Sequence, residues 1–299
     1  MIKFVLGTVQ LGLNYGVNNK LGKPSRKESF EILEYAYSKG IYCFDTAAAY
    51  GNAEEIIGEF IKTHGLSEKN LKIISKLTPN LLNNSQHTAS NIIVDEIEKS
   101  LNRLNIKSLD GFLLHTPSNV YSPCIIEGLE TAKGKNLSKN IGVSVYEVED
   151  ALYAAELKNI DYIQIAYNVL DQRLDKTDFF KIAVKNTKTI FSRSPFLQGL
   201  LLMEEKNVPD YLDRSKKYLS KFIKIINKYN YSKVRASLIF SILKNQDNNI
   251  VFGVDSLSQL KENISIAENY ELNNNFVKDI EDIFKDVDKG IIIPSLWAK

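Results

Sequence analysis

Eight short apolar runs, at residues 4–8, 41–45, 71–76, 111–115, 140–144, 161–165, 189–193 and 249–252, recur along this chain with helix-like segments between them. That alternation constrains the fold more than any other feature. Most of the runs are apolar throughout, as parallel strands buried on both faces must be. The segments between them carry helical signals. Ser25-Arg-Lys-Glu28 is a capping-box pattern, followed by Phe30, Leu33 and Tyr37 at helical spacing and a stop at Gly40. Ile93, Ile97, Leu101 and Leu104 form one stripe, and further helices are predicted near 53–65, 125–135 and 148–157. Eight strand–helix units predict an α/β fold, a closed eight-stranded parallel (β/α)8 TIM barrel with outer helices. Such a barrel typically occupies roughly 250 residues, so the 299 residues read as one barrel domain over 1–299. An open doubly wound sheet shares the alternation, but its G-x-G-x-x-G turn is missing; Gly7, Gly12 and Gly16 stand at wider spacing.

Composition narrows the partners. With 44% hydrophobic residues, 25% charged residues and a net charge of +2, the chain has no field that would draw nucleic acid. The apolar runs are strand-sized, and the segment after Met1 lacks the core of a secretion signal, so no membrane partner and no export are expected. Cys43 and Cys124, far apart and flanked by apolar residues, argue against a disulfide framework and for a cytoplasmic protein. His64, His87 and His115 are the only histidines, too few for a histidine-rich metal site, and no metal is expected. Oligomeric state is not legible in the sequence.

Three consecutive runs end on chargeable residues: Asp45, Lys76 and His115, with Tyr50 five residues after the first. In a parallel barrel the active site lies at the carboxyl ends of the strands, so polar residues there have a functional prior. Each alone has a structural explanation. Asp45 can cap the next turn, Lys76 can pair with it, and His115 can bond a backbone carbonyl. Together, a carboxylate, an ammonium, an imidazole and a phenol outline an active site.

At these residues the chain resembles the aldo-keto reductase family. The phrase Phe44-Asp-Thr-Ala-Ala-Ala-Tyr-Gly-Asn-Ala-Glu54 is similar to that family's second-strand signature, Ile74-Ser-Lys76 to its lysine strand and Leu113-Leu-His115 to its histidine strand. Gly142-Val-Ser144, Gln164-Ile-Ala-Tyr-Asn168, Ser194-Pro195, Gln198-Gly-Leu-Leu201 and the segment from Gly253 to Asn263 continue the match in family order. The resemblance implies NAD(P)H-dependent reduction of an aldehyde or ketone, a small-molecule carbonyl substrate, and the catalytic set Asp45, Tyr50, Lys76 and His115. Negative charge that grows on the carbonyl oxygen needs a proton, which Tyr50 would supply. A free phenol has a pKa of about 10, so Lys76 is expected to lower it, with Asp45 holding Lys76 charged. His115 would orient the oxygen.

The same resemblance assigns cofactor contacts to Gly7, Thr8, Ser144, Gln164, Arg193 and Ser194. It extends them to Gly253, Val254, Asp255, Ser256, Gln259, Glu262 and Asn263 in the loop after the last strand, where barrels build phosphate sites. Ser256-Leu-Ser-Gln259 also fits a capping box. Asn168 reads as a brace for its strand end. Departures are informative. Val145 stands where many members have asparagine, and Arg193 where many have a tyrosine that stacks on nicotinamide. A guanidinium there can stack, or bind an anionic substrate or phosphate. Gly253 and Gln259 stand where 2′-phosphate-gripping cations are common, with Asp255 nearby, so family habit favours NADPH while these side chains also allow NADH. Residues 115–121, 196–212 and 291–297 are candidates for the rim, with Trp297 as tail anchor or substrate contact. The phrase at 192–199 is similar to a bacterial branch associated with sugar and polysaccharide metabolism. The alternative function is a nucleotide-bound sensor or partner subunit with little turnover. A metal-dependent isomerase is disfavoured by the histidine count.

Overall fold

The eight apolar runs form a closed parallel barrel in sequential order, the last pairing with the first, in a computed structural model that describes residues 3–82, 88–245 and 248–297. Met1 and His87 lie outside the described residues. The strands are β1 (Lys3–Gly7), β2 (Cys43–Asp45), β3 (Lys72–Lys76), β4 (Leu109–Leu114), β5 (Ser138–Val145), β6 (Tyr162–Ala166), β7 (Thr189–Arg193) and β8 (Asn249–Gly253). The (β/α)8 expectation therefore holds, with strand ends within a few residues of those read from the sequence. No helix among the described residues is long and apolar enough to cross a membrane.

Twelve α-helices among the described residues accompany the strands: α1 (Val9–Gly12), α2 (Arg26–Ser38), α3 (Ala53–Thr63), α4 (Ala89–Leu104), α5 (Pro123–Gly134), α6 (Val148–Glu156), α7 (Phe179–Lys185), α8 (Lys216–Lys228), α9 (Lys233–Lys244), α10 (Leu257–Glu268), α11 (Asn274–Ile283) and α12 (Lys289–Ile292). The capping box at Ser25 and Glu28 is present in both directions, and the stripe Ile93, Ile97, Leu101 and Leu104 is buried. The helices expected from the sequence do not include α1, α7, α8, α9, α11 or α12. α8 does carry a buried helical stripe of Leu219, Phe222, Ile225 and Ile226.

Inside the barrel, Val5, Ile74, Leu113, Tyr162, Phe191 and Val251 form a compact plug of their own. Side chains along a strand alternate between faces, so the residue two beyond each plug member points the same way, one layer nearer the mouth. Those residues are Gly7, Lys76, His115, Gln164, Arg193 and Gly253. Cys43 packs against the plug, and two beyond it is Asp45. A period of two thus stacks the polar layer on the apolar one.

The turn that carries Tyr50 is clamped from both sides. After β2, Thr46 N–H donates to the Ile74 carbonyl at 2.8 Å and Tyr50 N–H to the Ala47 carbonyl at 2.9 Å. α3 begins three residues later, and its buried Glu54 accepts from Ser75 Oγ at 2.5 Å and Arg103 Nε at 2.6 Å, tying the helix to β3 and α4. Gly12 sits against this turn so closely that a Cβ would lie 1.7 Å from the Tyr50 carbonyl oxygen. Gly51, at φ +56°, returns the approach toward the Gly12 carbonyl. Gly12→Ala must push the Tyr50 turn aside. With Tyr50 in the reacting role that the sequence resemblance implies, the expected result is a loss of turnover on the order of a hundredfold, the usual effect of displacing a reacting group by about 1 Å. Steady-state kinetics with circular dichroism as the folding control tests this.

Candidate active site

Lys76 leaves the end of β3 beneath the barrel mouth and donates to both carboxylate oxygens of Asp45, each at 2.8 Å, and to the Thr46 carbonyl at 2.8 Å. Those three bonds use every N–H of the ammonium. Gln164 Nε2 donates to Asp45 Oδ1 at 2.8 Å, and Ser144 Oγ donates to Gln164 Oε1 at 3.2 Å. A continuous polar chain therefore joins the ends of β5, β6, β2 and β3 across the floor. Thr8 seals the near side, its Oγ1 and N–H both donating to the Asp45 carbonyl at 3.0 Å.

Above this floor, Tyr50 and His115 meet edge to face with ring centroids 5.9 Å apart. Lys76 Nζ lies 5.0 Å from the Tyr50 ring centroid. The Tyr50 hydroxyl makes no hydrogen bond among the described residues, and Tyr50, His115 and Asp45 line one cavity of about 890 Å³. Lys76 is sealed below it.

The electrostatics correct one sequence expectation. The sequence implies that Lys76 lowers the Tyr50 pKa, yet burial, reinforced by the Asp45 carboxylate, pushes this phenol well above its ordinary value, with Arg193 opposing. The reason is geometric: the ammonium is aimed at Asp45 and Thr46, so of the pair it is the carboxylate that acts on the phenol. Burial likewise pushes the Lys76 ammonium down, opposed by Asp45. Burial, with Lys76 and Arg193 adding to it, pushes the His115 imidazole down to about 3.

A neutral imidazole offers one N–H and one acceptor, and His115 Nδ1 is buried without a partner. The rate profile should therefore show no His115 inflexion near pH 6.5. An inflexion there that disappears in His115→Gln would contradict the assignment. The unfolded chain binds this proton and the folded one does not, so stability should fall as pH drops from about 6.5 toward about 3.

The predicted cofactor residues divide. Gly7, Thr8, Ser144, Gln164, Arg193, Ser194, Gly253, Asp255, Gln259, Glu262 and Asn263 line the cavity with Tyr50 and His115. Val254 and Ser256 do not: Val254 packs into the core, and the Ser256 side chain caps α10 by accepting from Gln259 N–H. The expected capping box is modified, because Gln259 Oε1 accepts from Asp255 N–H at 2.7 Å, one residue before the cap. Burial raises the Asp255 carboxyl above its ordinary range. Asn168 braces its strand end as expected, Oδ1 accepting from Leu170 and Asp171 N–H.

Of the rim candidates, Phe196, Gln198, Gly199, Leu202, Pro209, Tyr211, Pro294 and Ser295 line the cavity, as does Trp297, which also anchors the tail by donating to the Ile291 carbonyl at 3.0 Å. Of residues 115–121 only His115 does; Tyr121 turns away to donate to Asp150 at 2.7 Å. The loops after β1 and β7 meet over the cavity, where Val17 N–H donates to the Gln198 carbonyl at 2.9 Å.

Sequence reasoning missed Gln10, Tyr15 and Tyr146, all of which line the cavity. For Gln10 and Tyr146 the only signal was position, two residues beyond Thr8 and Ser144, and Tyr15, seven beyond Thr8, had none. The Arg193 guanidinium stacks on Tyr146, 4.2 Å from the ring centroid.

A sequence model described as the Aldo/keto reductase family matches residues 3–285. The chain is 30% identical over 189 residues to "Aldo-keto reductase YhdN" of Bacillus subtilis, a match covering 60% of this chain and 55% of that protein. It is 32% identical over 145 residues to "NAD/NADP-dependent indole-3-acetaldehyde reductase" of Schizosaccharomyces pombe, covering 46% of this chain and 48% of that one. The chain thus spans about half the length of these curated relatives. A solved structure, "aldo-keto reductase AKR11C1 from Bacillus halodurans (holo form)", superposes with a TM-score of 0.72 over 94% of this chain and 91% of that one, at 18% identity, a likeness of fold.

Proposed function

The chain belongs to the aldo/keto reductase family, and from that premise we propose that it reduces an aldehyde or ketone to an alcohol with a nicotinamide cofactor. The observation that carries this reading is the convergence of an unbonded Tyr50 hydroxyl and a neutral His115 over a buried Lys76–Asp45 pair in one cavity. When bound, the reduced nicotinamide supplies hydride to the carbonyl carbon. Tyr50, kept as the phenol by burial, holds a proton ready for the oxygen. His115 offers its single N–H to the same oxygen and orients it. The Lys76–Asp45 pair holds the floor rigid.

The chain's own groups fit a dinucleotide. Ser144 and Gln164 suit an amide such as the nicotinamide carboxamide. Gly7 and Gly253 are register partners at the mouth, with Gln10 Oε1 a buried acceptor that lacks a partner beside Gly253. The charges favour NADH. Among the described lining residues Arg193 is the only cation, and the loop and helix after β8 contribute the carboxylates Asp255 and Glu262. Carboxylates accept from a ribose hydroxyl and repel a 2′-phosphate. The Schizosaccharomyces pombe relative is named for both cofactors.

Titrating NADH and NADPH against the protein, then assaying oxidation of the bound form with aldehydes, keto sugars and quinones, tests both parts. NADH should bind at least as tightly as NADPH, and a tenfold advantage for NADPH would reverse the cofactor assignment. Tight binding with no carbonyl reduced would replace the reductase reading with a sensor or partner subunit. Keto sugars are in the panel because the phrase at 192–199 is similar to a sugar-associated branch.

A further inference from the structure

We propose that Arg193 recognises a negatively charged group, a carboxylate or phosphate, carried by the carbonyl substrate itself; this rests on the reductase reading above. Two arginines flank Tyr146, and their contrast carries the argument. Arg173 is fully committed to structure: Nε and Nη2 clasp Asp171 at 2.8 and 3.0 Å, Nη2 also donates to the Tyr146 carbonyl at 2.7 Å, and Nη1 reaches Glu147 at 3.3 Å. Its role is to hold the loop on which Tyr146 sits.

Arg193 has no such commitment. Among the described residues its guanidinium makes only two hydrogen bonds, both long and to neutral oxygens, Ser194 Oγ at 3.4 Å and the Val145 carbonyl at 3.3 Å. No carboxylate of the described residues lies within ion-pair distance of it. A guanidinium has five N–H donors in a planar fork. Most of these remain undirected in a partly buried position, where a charge without a counter-ion is costly. The side chain is nevertheless fixed. Its backbone is locked between β6 and β8 by the register Ala166–Arg193–Val251, and its face is held by the Tyr146 ring, itself anchored through Arg173. Such a cation, preorganised and unpaired, is built to receive a planar or tetrahedral oxyanion.

The neighbours say which oxyanion. Arg193 stands in the inward layer with His115 and Gln164 and lines one cavity with Tyr50 and His115, its face against Tyr146. An anion held there shares the volume of the Tyr50 hydroxyl and the His115 ring, as part of the same small molecule. The partner of the charge is then the substrate.

The test compares charge-matched pairs: succinic semialdehyde against butanal for a carboxylate, and glyceraldehyde 3-phosphate against glyceraldehyde for a phosphate. The wild-type protein should favour at least one anionic member by about ten- to a hundredfold in kcat/KM, the range of a charge-assisted bidentate contact. Arg193→Met should bring that ratio to near one, and Arg193→Lys should restore part of it, which a merely structural arginine would not do. No anionic preference in the wild type, or one that persists in Arg193→Met, overturns the proposal. A ratio unchanged by Arg193→Met while NADH binding weakens would also overturn it and assign the guanidinium to cofactor phosphates. If no aldehyde is reduced, the reductase reading fails separately, and calorimetric titration of succinate and inorganic phosphate into the free protein decides. Binding lost in Arg193→Met supports the anion site, and no binding overturns it.

Discussion

Tyr50→Phe should lower the rate of carbonyl reduction by at least about a hundredfold, the lower end of what a positioned general acid contributes, while cofactor affinity stays within a few-fold of wild type. The change removes one oxygen and little else. The phenylalanine ring keeps its edge-to-face contact with His115 and its place 5.0 Å from Lys76 Nζ. The lost hydroxyl makes no hydrogen bond among the described residues, so no buried partner is orphaned and stability should hardly change. A lesion confined to turnover is what a proton donor predicts. Rapid-mixing measurement of hydride transfer, with cofactor titration as control, separates it from a folding or binding defect. Wild-type-like turnover would remove Tyr50 from the role. Because burial holds the phenol above its ordinary pKa, the reductive rate should also show no loss of a phenolic proton up to pH 9.

The part of this site that lies on strands was legible from the sequence. Asp45, Lys76 and His115 end apolar runs, and a strand's period of two places each on the inward face above the plug residues Ile74 and Leu113 or, for Asp45, above Cys43. Local chemistry was legible too, as at the Ser25–Glu28 capping box, because both partners lie within one helical turn. What failed depends on contacts between distant loops. Tyr15 and Tyr146 come from the connections after β1 and β5, and nothing in their spacing says that they line one cavity with Arg193 at the end of β7. The error over Lys76 has the same origin. Sequence put an ammonium near a phenol, but only geometry shows its three N–H bonds spent on Asp45 and Thr46. The long stretch between β7 and β8 was read for its rim, and α8 and α9 within it passed unnoticed although α8 carries a helical stripe.

Asp45→Asn and Lys76→Met should each destabilise the fold by about 3–5 kcal/mol, the usual result of stranding one member of a buried ion pair. Both side chains are almost wholly buried, at 5% and 0% exposure, so neither can turn to water when its partner is gone. The double variant should cost no more than the worse single, because no uncompensated charge remains. Denaturant midpoints of the four proteins form the cycle, and additive losses would mean that the pair contributes through packing. The pH dependence distinguishes the two singles. In Asp45→Asn the buried Lys76, already pushed down by burial, loses the carboxylate that opposes that shift. The unfolded chain then keeps a proton that the folded chain sheds, so stability relative to wild type should rise with pH toward the ordinary lysine range of about 10.4. Lys76→Met has no such proton to shed, and its deficit should persist at alkaline pH. A deficit in Asp45→Asn that stays constant from neutral to alkaline pH would show that the ammonium is not what Asp45 neutralises.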